Sequence, residues 1–551
     1  MPSPRTRLLS RQLSTVSVTV DSATAQAPTR QVVRGNSCAT RIVLSARVWV
    51  RQVAAAGMGQ ERGGNVFGGD EKIGVLATRR RHRRLMAVSI ALVVVLAGAV
   101  AAVALVRPWT DEFRHGKLIV AAAPALVESA PRVLPARSNA PAPSPAGIAA
   151  ALAPVIGNPD LGAFAGQVSD PNSASVLWSA AADTPLVPSS TAKVLTAAAA
   201  LLTLPVDHRV TTAVVTGAAA NELVLVGGGD PTITAEPDGK GYYSNGPRLS
   251  DLVAQIRSTA RPVDTIVVDT SAYAGPTMAS GWDPIDIGDG SIAPIEPVMI
   301  DGGRSRPLVR YSSRTTTPAL DAGKRLAAEL GLDPARVRPG VAPDGAVEIA
   351  SVRSAPLRER LHDMMVYSDN VLAEAIGREV AVANGGEASF RGGVAAIHAA
   401  LSAAGFDMSG VDMHDSSGLS VDDRIPARLL DQVVATAAKP NGVTAVQPAG
   451  TNAKPEHDRT AATLAPMLDT LPVAGATGSL TDRFVGSDRE GAGWVRAKTG
   501  TLSVSSALVG YVLDADGRVL TFALMSNDRP PEVSRPALDA IAGTLRNCGC
   551  S

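Results

Sequence analysis

Three short motifs in a fixed order constrain the fold of this chain more than any other feature. They are Ser190-Thr191-Ala192-Lys193, then Ser368-Asp369-Asn370, then Lys498-Thr499-Gly500, and each of the patterns S-x-x-K, S-x-N and K-T-G occurs once. One short motif is weak evidence, but three different motifs in one order are seldom a coincidence. A fold that uses all three must bring three distant segments of the chain to one place.

The spacing of the first two motifs predicts an additional domain between them. Ser190 and Ser368 are 178 residues apart, and independent domains begin at about 50 residues. The interval has secondary-structure signals of its own, namely an amphipathic segment at 249–256, a β-branched run at 265–268 and a helical run at 319–330. We therefore predict an inserted domain over 235–345.

The first motif has the residues and the spacing of a serine activated by a lysine. Ser190 precedes an Ala- and Leu-rich run, 191–204, which predicts a buried helix. Lys193 then lies one turn along, with its amine beside the Ser190 hydroxyl. Lysine can take the hydroxyl proton if burial and a nearby cation such as Lys498 lower its pKa. The alternative is a serine N-cap followed by a surface lysine, and the other two motifs argue against it.

Together with their neighbours, the motifs resemble the penicillin-binding D-alanyl-D-alanine carboxypeptidases/endopeptidases of the low-molecular-mass class C type. The matching segments are 187–195, 227–232, 367–374, 415–420 and 497–502. The resemblance implies an α/β (α+β) fold in which helices flank a five-stranded antiparallel sheet, as in serine β-lactamases and DD-peptidases. The catalytic domain would comprise 155–234 and 346–551, interrupted by the insertion between S-x-x-K and S-x-N.

The resemblance also implies roles for five catalytic residues. Ser190 would form the acyl-enzyme and Lys193 would be its base. Ser368 would relay a proton between Lys193 and the leaving amine, and Asn370 would bind the amide of the substrate. Lys498 would offer a cation to the terminal carboxylate of the substrate and help to lower the pKa of Lys193.

Three further residues would bind substrate along an edge strand predicted at 495–500. Thr499 would give a hydroxyl to the terminal carboxylate, and Gly500 would leave room for a close approach of backbone. The backbone N–H of Thr501, with that of Ser190, would form the oxyanion hole. Substrate would then add to the sheet as an extra strand.

These residues predict a serine-type D-Ala-D-Ala carboxypeptidase, with DD-endopeptidase activity as a further option. It would trim peptidoglycan stem peptides and be acylated by penicillin. The alternatives are a serine β-lactamase and a non-catalytic wall-binding homologue. Class A β-lactamases use a deacylating glutamate in a Glu-x-x-Leu-Asn string after S-x-N. No such string begins at any of the glutamates 374, 379, 387, 456 and 490.

Neither a cofactor nor a metal is expected. The seven histidines are scattered without zinc spacing, and 227–229 predicts a tight turn rather than a phosphate loop. The balance of 52 basic and 51 acidic residues argues against nucleic acid as a partner. Three cysteines are too few for a disulfide framework, and the spacing of Cys548 and Cys550 disfavours an unstrained bridge between them.

The N-terminal part predicts attachment to a membrane. Residues 85–106 are 22 residues without a charge, long enough to span a bilayer, and the basic run 79–84 precedes them. Because a basic flank stays in the cytoplasm, we expect a single-pass signal anchor with the catalytic domain outside the cell membrane. The alternative is secretion after cleavage at Ala102-Val103-Ala104.

The segments on either side of this anchor predict no packed structure. Residues 1–78 are rich in Arg and Ser and are expected to form a disordered cytoplasmic extension. The alternative is that translation starts later, at Met58 or Met86, so that the residues before the start are not part of the protein. Residues 107–154 are rich in Ala and Pro and predict a semi-extended linker.

Overall fold

The computed structural model describes residues 74–106, 139–440, 455–486 and 489–550. It divides at residues 129 and 130 into two units. The described part of the first unit is helix α1, Gly74–Val106, which contains the predicted anchor 85–106. Among the described residues, no helix combines the length and the hydropathy that a membrane span requires. Residues 74–78, the last part of the segment predicted to be disordered, belong to α1. The rest of that segment, 1–73, and the predicted linker over 107–138 lie outside the described residues.

The second unit contains helices and strands in a mixed order. Its helices are α2 (Pro145–Ile156), α3 (Lys193–Thr203), α4 (Leu249–Ser258), α5 (Ile285–Gly288), α6 (Pro318–Leu330), α7 (Leu357–Tyr367), α8 (Asn370–Ala383), α9 (Phe390–Ala403), α10 (Ala427–Ala437), α11 (Pro455–Leu464) and α12 (Pro531–Asn547). Its strands are β1 (Ala163–Asp170), β2 (Ser175–Ala180), β3 (Pro185–Leu186), β4 (Thr211–Thr216), β5 (Glu222–Val226), β6 (Asp230–Ile233), β7 (Thr265–Asp269), β8 (Val298–Ile300), β9 (Arg338–Pro339), β10 (Glu348–Arg353), β11 (Ile425–Pro426), β12 (Arg496–Leu502), β13 (Ser505–Leu513) and β14 (Val519–Asn527).

The predicted five-stranded antiparallel sheet is present, with strand order β12-β13-β14-β1-β2. It joins the two ends of the unit, because β1 pairs with β14, with Ala165 opposite Met525. Strand β12 carries the K-T-G motif and lies at one end of the sheet, where it pairs with β13. One edge of the K-T-G strand therefore faces the neighbouring cleft.

The two faces of this sheet are buried against different helices. Leu508 and Leu524 pack on the side of α2 and α12, whereas Val509 and Met525 pack on the side of α3, α8 and α10. Side chains of adjacent residues alternate between the two faces of a strand, so the continuous apolar runs of β13 and β14 reflect burial on both sides. This two-sided core holds β12 and α3, which carry two of the three motifs, in fixed relative positions.

The insertion contributes a second, mixed sheet of order β10-β4-β5-β7-β9. Strands β5, β7 and β9 are parallel neighbours, and β4 is antiparallel to both β5 and β10. Helices α4 and α6 cover it through Leu252, Ile256 and Leu326. The sheet draws strands from 211–353, a wider range than the predicted 235–345, because β4 pairs with a strand that is distant in sequence.

The linker predicted over 107–154 differs from the structure in its last part, where α2 begins at Pro145. Ser144 caps this helix by accepting a hydrogen bond from Gly147 N at 3.1 Å, and Ile148 is buried beside α12. A disulfide joins Cys548 to Cys550, with the two Cα atoms 5.1 Å apart. The sequence disfavoured this pairing, but the extended backbone of Cys548 after α12 brings the two residues within bridging range.

Candidate active site

The first motif lies at the start of α3, as the sequence predicts. Residues Ser189–Ala192 form a 3-10 turn that runs directly into the helix, and Ser189 has a positive φ of 50°. Lys193 Nζ donates a hydrogen bond to Ser190 Oγ at 3.0 Å. The candidate nucleophile and its candidate base are therefore in direct contact.

Lys193 is held at the centre of the site by two further acceptors. Its Nζ donates to Asn370 Oδ1 at 2.6 Å and to the carbonyl oxygen of Ser417 at 2.7 Å. Complete burial lowers the pKa of Lys193 to about 8, although the charges of Asp415 and Asp369 act in the opposite direction. The neutral amine is thus much more accessible near physiological pH than in an ordinary lysine, as a general base requires.

The second motif occupies the sharp connection between α7 and α8. Ser368 adopts a left-handed conformation with φ 58°, and Asp369 caps α8 by accepting a hydrogen bond from Leu372 N at 2.9 Å. Asn370 Nδ2 donates to the carbonyl oxygen of Ser291 at 3.0 Å. A non-glycine residue with positive φ is uncommon and is often found at functional sites. Here the turn places Ser368 and Asn370 next to different lysines.

Lys498 of the third motif completes the polar network. Its Nζ donates to Ser368 Oγ at 2.8 Å and to the carbonyl oxygen of Thr499 at 2.8 Å, and the residue is fully buried. Burial lowers its pKa well below the usual value, and the charges of Lys193 and Arg310 lower it further. The structure thus brings all five predicted catalytic residues together, with each serine hydroxyl bonded to one lysine.

The three predicted substrate-binding residues follow along β12. Thr499 Oγ1 donates to Ser479 Oγ at 2.6 Å, and Thr501 Oγ1 donates to the carbonyl oxygen of Gly500 at 2.7 Å. A Cβ atom at Gly500 would lie 2.7 Å from the carbonyl oxygen of Pro188. The absence of a side chain at Gly500 therefore allows the segment that carries the candidate nucleophile to approach β12.

A cavity of about 900 Å³ opens over these motifs. The motifs contribute Ser190, Ser368, Asp369, Asn370 and Thr499 to its lining, and Thr501 follows directly after the third motif. The insertion contributes another part of the lining, which includes Tyr242, Ser291, Arg304, Arg310 and Tyr311. The volume lies in the range of ligand-binding clefts, so the insertion helps to shape the space in which a substrate would bind.

Two arginines of the insertion fix the second motif, which the sequence did not reveal. Arg304 Nη2 lies 2.8 Å from Asp369 Oδ2 and Arg314 Nη2 lies 3.4 Å from the same oxygen, with all three side chains at most 3% exposed. The guanidinium of Arg304 also stacks 3.5 Å from the ring centre of Tyr242. Burial alone would raise the pKa of Asp369, but Arg314 and Arg304 hold it well below the usual value.

A group of buried carboxylates behind Lys193 was also missed. Asp415 accepts hydrogen bonds from Ser417 N at 2.9 Å and from Trp282 Nε1 at 2.7 Å. It thereby fixes the loop whose Ser417 carbonyl binds Lys193. Glu374 accepts from Ser416 N at 2.9 Å, and burial, followed by the charge of Asp415, raises its pKa to about 8. The only sequence signal was the string 415–420, which matched the family without indicating this role.

Comparison with known proteins decides the family. The model of the D-Ala-D-Ala carboxypeptidase 3 (S13) family matches residues 148–314 and 304–548. The chain belongs to this family. It is 47% identical over 480 residues to carboxypeptidase DacB of Mycolicibacterium smegmatis, covering 86% of this chain and 99% of the relative. It is 49% identical over 424 residues to a carboxypeptidase of Mycobacterium tuberculosis, covering 76% of this chain and 88% of the relative.

The fold is similar to that of penicillin-binding protein 4 from Haemophilus influenzae. The crystal structure of that protein aligns with a TM-score of 0.58 at 19% identity, covering 72% of this chain and 98% of the other. Its complex with a β-lactam aligns with a TM-score of 0.51. The predicted fold class is confirmed, and so is the predicted function: this protein is a serine-type D-Ala-D-Ala carboxypeptidase.

Proposed function

We propose that the protein cleaves the terminal D-Ala-D-Ala bond of peptidoglycan stem peptides through an ester on Ser190. The observation that supports this most directly is the 3.0 Å hydrogen bond from Lys193 Nζ to Ser190 Oγ, made by a lysine whose pKa is about 8. Lys193 accepts the hydroxyl proton while Ser190 Oγ attacks the carbonyl carbon of the penultimate D-alanine. The C–N bond then breaks and the terminal D-alanine leaves.

The second serine supplies the proton that the leaving amine needs. Ser368 Oγ accepts a hydrogen bond from Lys498 Nζ, so its own proton can move to the departing nitrogen while Lys498 gives Ser368 a proton in its place. Asn370 Oδ1 accepts from Lys193 and holds the amine of that lysine in position. Water then attacks the ester, its proton passes through Ser368 to Lys498, and Lys193 returns its proton to Ser190 Oγ. A β-lactam carries an amide in a similar position and would acylate the same oxygen.

The contacts favour a carboxypeptidase over a β-lactamase. A β-lactamase needs a base that activates water against the acyl-enzyme. Glu374 is the first glutamate after the second motif, but it is fully buried and accepts from the backbone N–H of Ser416. It is also absent from the residues that line the cavity. We therefore expect the penicilloyl ester on Ser190 to persist.

Two assays on one set of variants test this function. Wild-type protein should release D-alanine from a peptide that ends in D-Ala-D-Ala, and a fluorescent penicillin should label it stably on a denaturing gel. Lys193→Ala should slow both reactions by several orders of magnitude because the general base is lost. Lys324→Ala, which removes a half-exposed lysine from α6, is the matched control and should leave both unchanged.

The outcomes separate the alternatives. Rapid loss of label from wild-type protein would indicate a β-lactamase, and absence of both label and D-alanine release would indicate a non-catalytic homologue. Near-normal labelling of Lys193→Ala would place the base elsewhere. Parallel digestion of cross-linked peptides measures the relative rates of carboxypeptidase and endopeptidase action.

We further propose that a single helix over 85–106 holds the protein at the cell membrane, with the catalytic unit outside. The support is the uncharged sequence of this segment after the basic run 79–84, and the exposure of its apolar side chains, among them Val88, Val95 and Leu105. Fractionation of cells that express the full chain tests this. Recovery in the membrane pellet is expected, and recovery in the medium with a new N-terminus after Ala104 would indicate cleavage instead.

A further inference from the structure

The cation expected to bind the substrate carboxylate is already engaged in the polar network of the site. Lys498 is fully buried, and its Nζ already donates to Ser368 Oγ and to the carbonyl oxygen of Thr499. It does not belong to the described residues that line the cavity. A carboxypeptidase substrate ends in a carboxylate, so another cation near the K-T-G strand is needed to bind it.

Five arginines in the described part of the chain line the cavity, and three of them are already paired with carboxylates. They are Arg304, Arg310, Arg314, Arg483 and Arg535. Asp369 binds both Arg304 and Arg314, and Asp539 binds Arg483. Arg310 donates to the carbonyl oxygen of Tyr367 at 3.0 Å. Arg310 and Arg535 therefore remain as the cations best placed to meet a substrate anion.

Of these two, Arg535 contacts the K-T-G strand. It projects from the first part of α12, and its Nε donates to Thr501 Oγ1 at 3.2 Å. It is partly exposed, and Thr501, Thr499 and Ser190 line the same cavity. A substrate that extends β12 would thus bring its C-terminus into the region between the candidate nucleophile and this guanidinium.

Charges of both signs surround Arg535. Burial lowers the pKa of Arg535, and the positive charge of Arg483 lowers it further, whereas Glu532, Tyr311 and Asp539 act in the opposite direction. Guanidinium binds a carboxylate through two parallel N–H donors, which fixes the orientation of the carboxylate as well as its position.

We propose that Arg535, together with the hydroxyl of Thr501, binds the C-terminal carboxylate of the substrate and so selects for peptides that end in a free acid. The proposal rests on the acyl-enzyme function proposed above and adds the residue that recognises the peptide terminus. It assigns Lys498 to the proton network of Ser368 instead of to carboxylate binding.

The test compares substrates that differ only in this carboxylate. Cleavage of a peptide that ends in D-Ala-D-Ala with a free acid is measured against the same peptide as its C-terminal amide, with wild-type protein, Arg535→Gln, Arg535→Lys and Arg310→Gln. Wild type should prefer the free acid. Arg535→Gln should lose at least about tenfold in kcat/KM on the free acid and little on the amide. Arg535→Lys should recover part of the loss, since a charge returns without the planar pair of donors.

Arg310→Gln is the matched control, because it removes the other cavity arginine that forms no ion pair with a carboxylate among the described residues, and it should keep the preference for the free acid. Acylation by penicillin and by its methyl ester provides a second readout. Arg535→Gln should react more slowly with the free acid and normally with the ester, which shows that the fold and Ser190 are intact. An undiminished preference for the free acid in both Arg535→Gln and Arg535→Lys would overturn the proposal. Failure of wild-type protein to react with either penicillin would instead contradict the acyl-enzyme function itself.

Discussion

The buried ion pairs of Asp369 allow the clearest test of how the insertion supports the active site. Asp369→Asn removes the negative charge that Arg304 and Arg314 share at 2.8 and 3.4 Å. The side chain keeps its size, and asparagine caps a helix about as well as aspartate, so the cap at Leu372 N is retained. The substitution therefore isolates the charge from the shape and from the cap.

Two effects of known sign follow from the loss of this charge. Breaking a buried ion pair costs about 3–5 kcal/mol, since each arginine is at most 3% exposed and loses its only carboxylate partner among the described ion pairs. The charge of Asp369 also raises the pKa of Lys193. Its removal should lower that pKa and move the acidic limb of the acylation rate toward lower pH.

Glu379→Gln is the matched control on the same helix. Glu379 binds the buried Arg360 with two hydrogen bonds, one of them 2.9 Å between Nη2 and Oε2, so its loss should destabilise the protein by a similar amount. The charges that mainly shift the pKa of Lys193 do not include Glu379. Both variants should therefore lower the denaturant midpoint, but only Asp369→Asn should shift the pH profile of penicillin acylation. An identical profile in the two variants would refute the reasoning.

Three further outcomes follow from individual contacts. Gly500→Ala should slow acylation at least about tenfold and lower the unfolding midpoint, because its Cβ would lie 2.7 Å from Pro188 O and displace Ser190; wild-type rates would contradict this close approach. Acylation of wild type should fall as pH drops below about 8, the pKa of Lys193, because the protonated amine cannot accept the serine proton; a flat profile from pH 6 to 8 would exclude Lys193 as the base. Burial raises the pKa of Asp431 to about 6, above the unfolded value of about 3.9, so Asp431 should contribute to a rise in stability as pH falls from 7 to 5; Asp431→Asn should reduce that rise, and an unchanged pH dependence of the unfolding midpoint would contradict it.

Local sequence patterns were sufficient where the apolar residues of a segment follow the period of a helix or strand. The segment 249–256 predicted most of α4, and 319–330 predicted most of α6. Such segments have a continuous apolar face that needs no information from elsewhere in the chain. The same holds for the first motif, since the S-x-x-K spacing alone places Lys193 beside Ser190.

The contacts that complete the site join residues that no local pattern connects. Arg304 and Asp369 are 65 residues apart, and nothing in the composition of the insertion marks one arginine as the partner of the second motif. The pairing of β4 with β10 likewise places strands from both sides of the predicted boundaries in one sheet. The complete burial of Lys498 could not be predicted for the same reason, because a motif shows which residues are present and not how deeply they are buried.

The insertion therefore contributes residues to the active site itself. Ser291 accepts from Asn370, Trp282 donates to Asp415, and Arg304 binds Asp369. Each contact reaches a residue that in turn holds Lys193 or its surroundings. We expect substitutions at these positions to affect catalysis although none of them belongs to the three motifs.

The central claim is that Ser190 carries the acyl group, and peptide mapping by mass spectrometry tests it most directly. After brief exposure to benzylpenicillin, wild-type protein should carry one penicilloyl adduct, located on the peptide that contains Ser190. The neighbouring variant Ser189→Ala should still form the adduct on Ser190, and Ser190→Ala should form none. An adduct that persists in Ser190→Ala, or that maps to Ser368 in wild-type protein, would contradict the account.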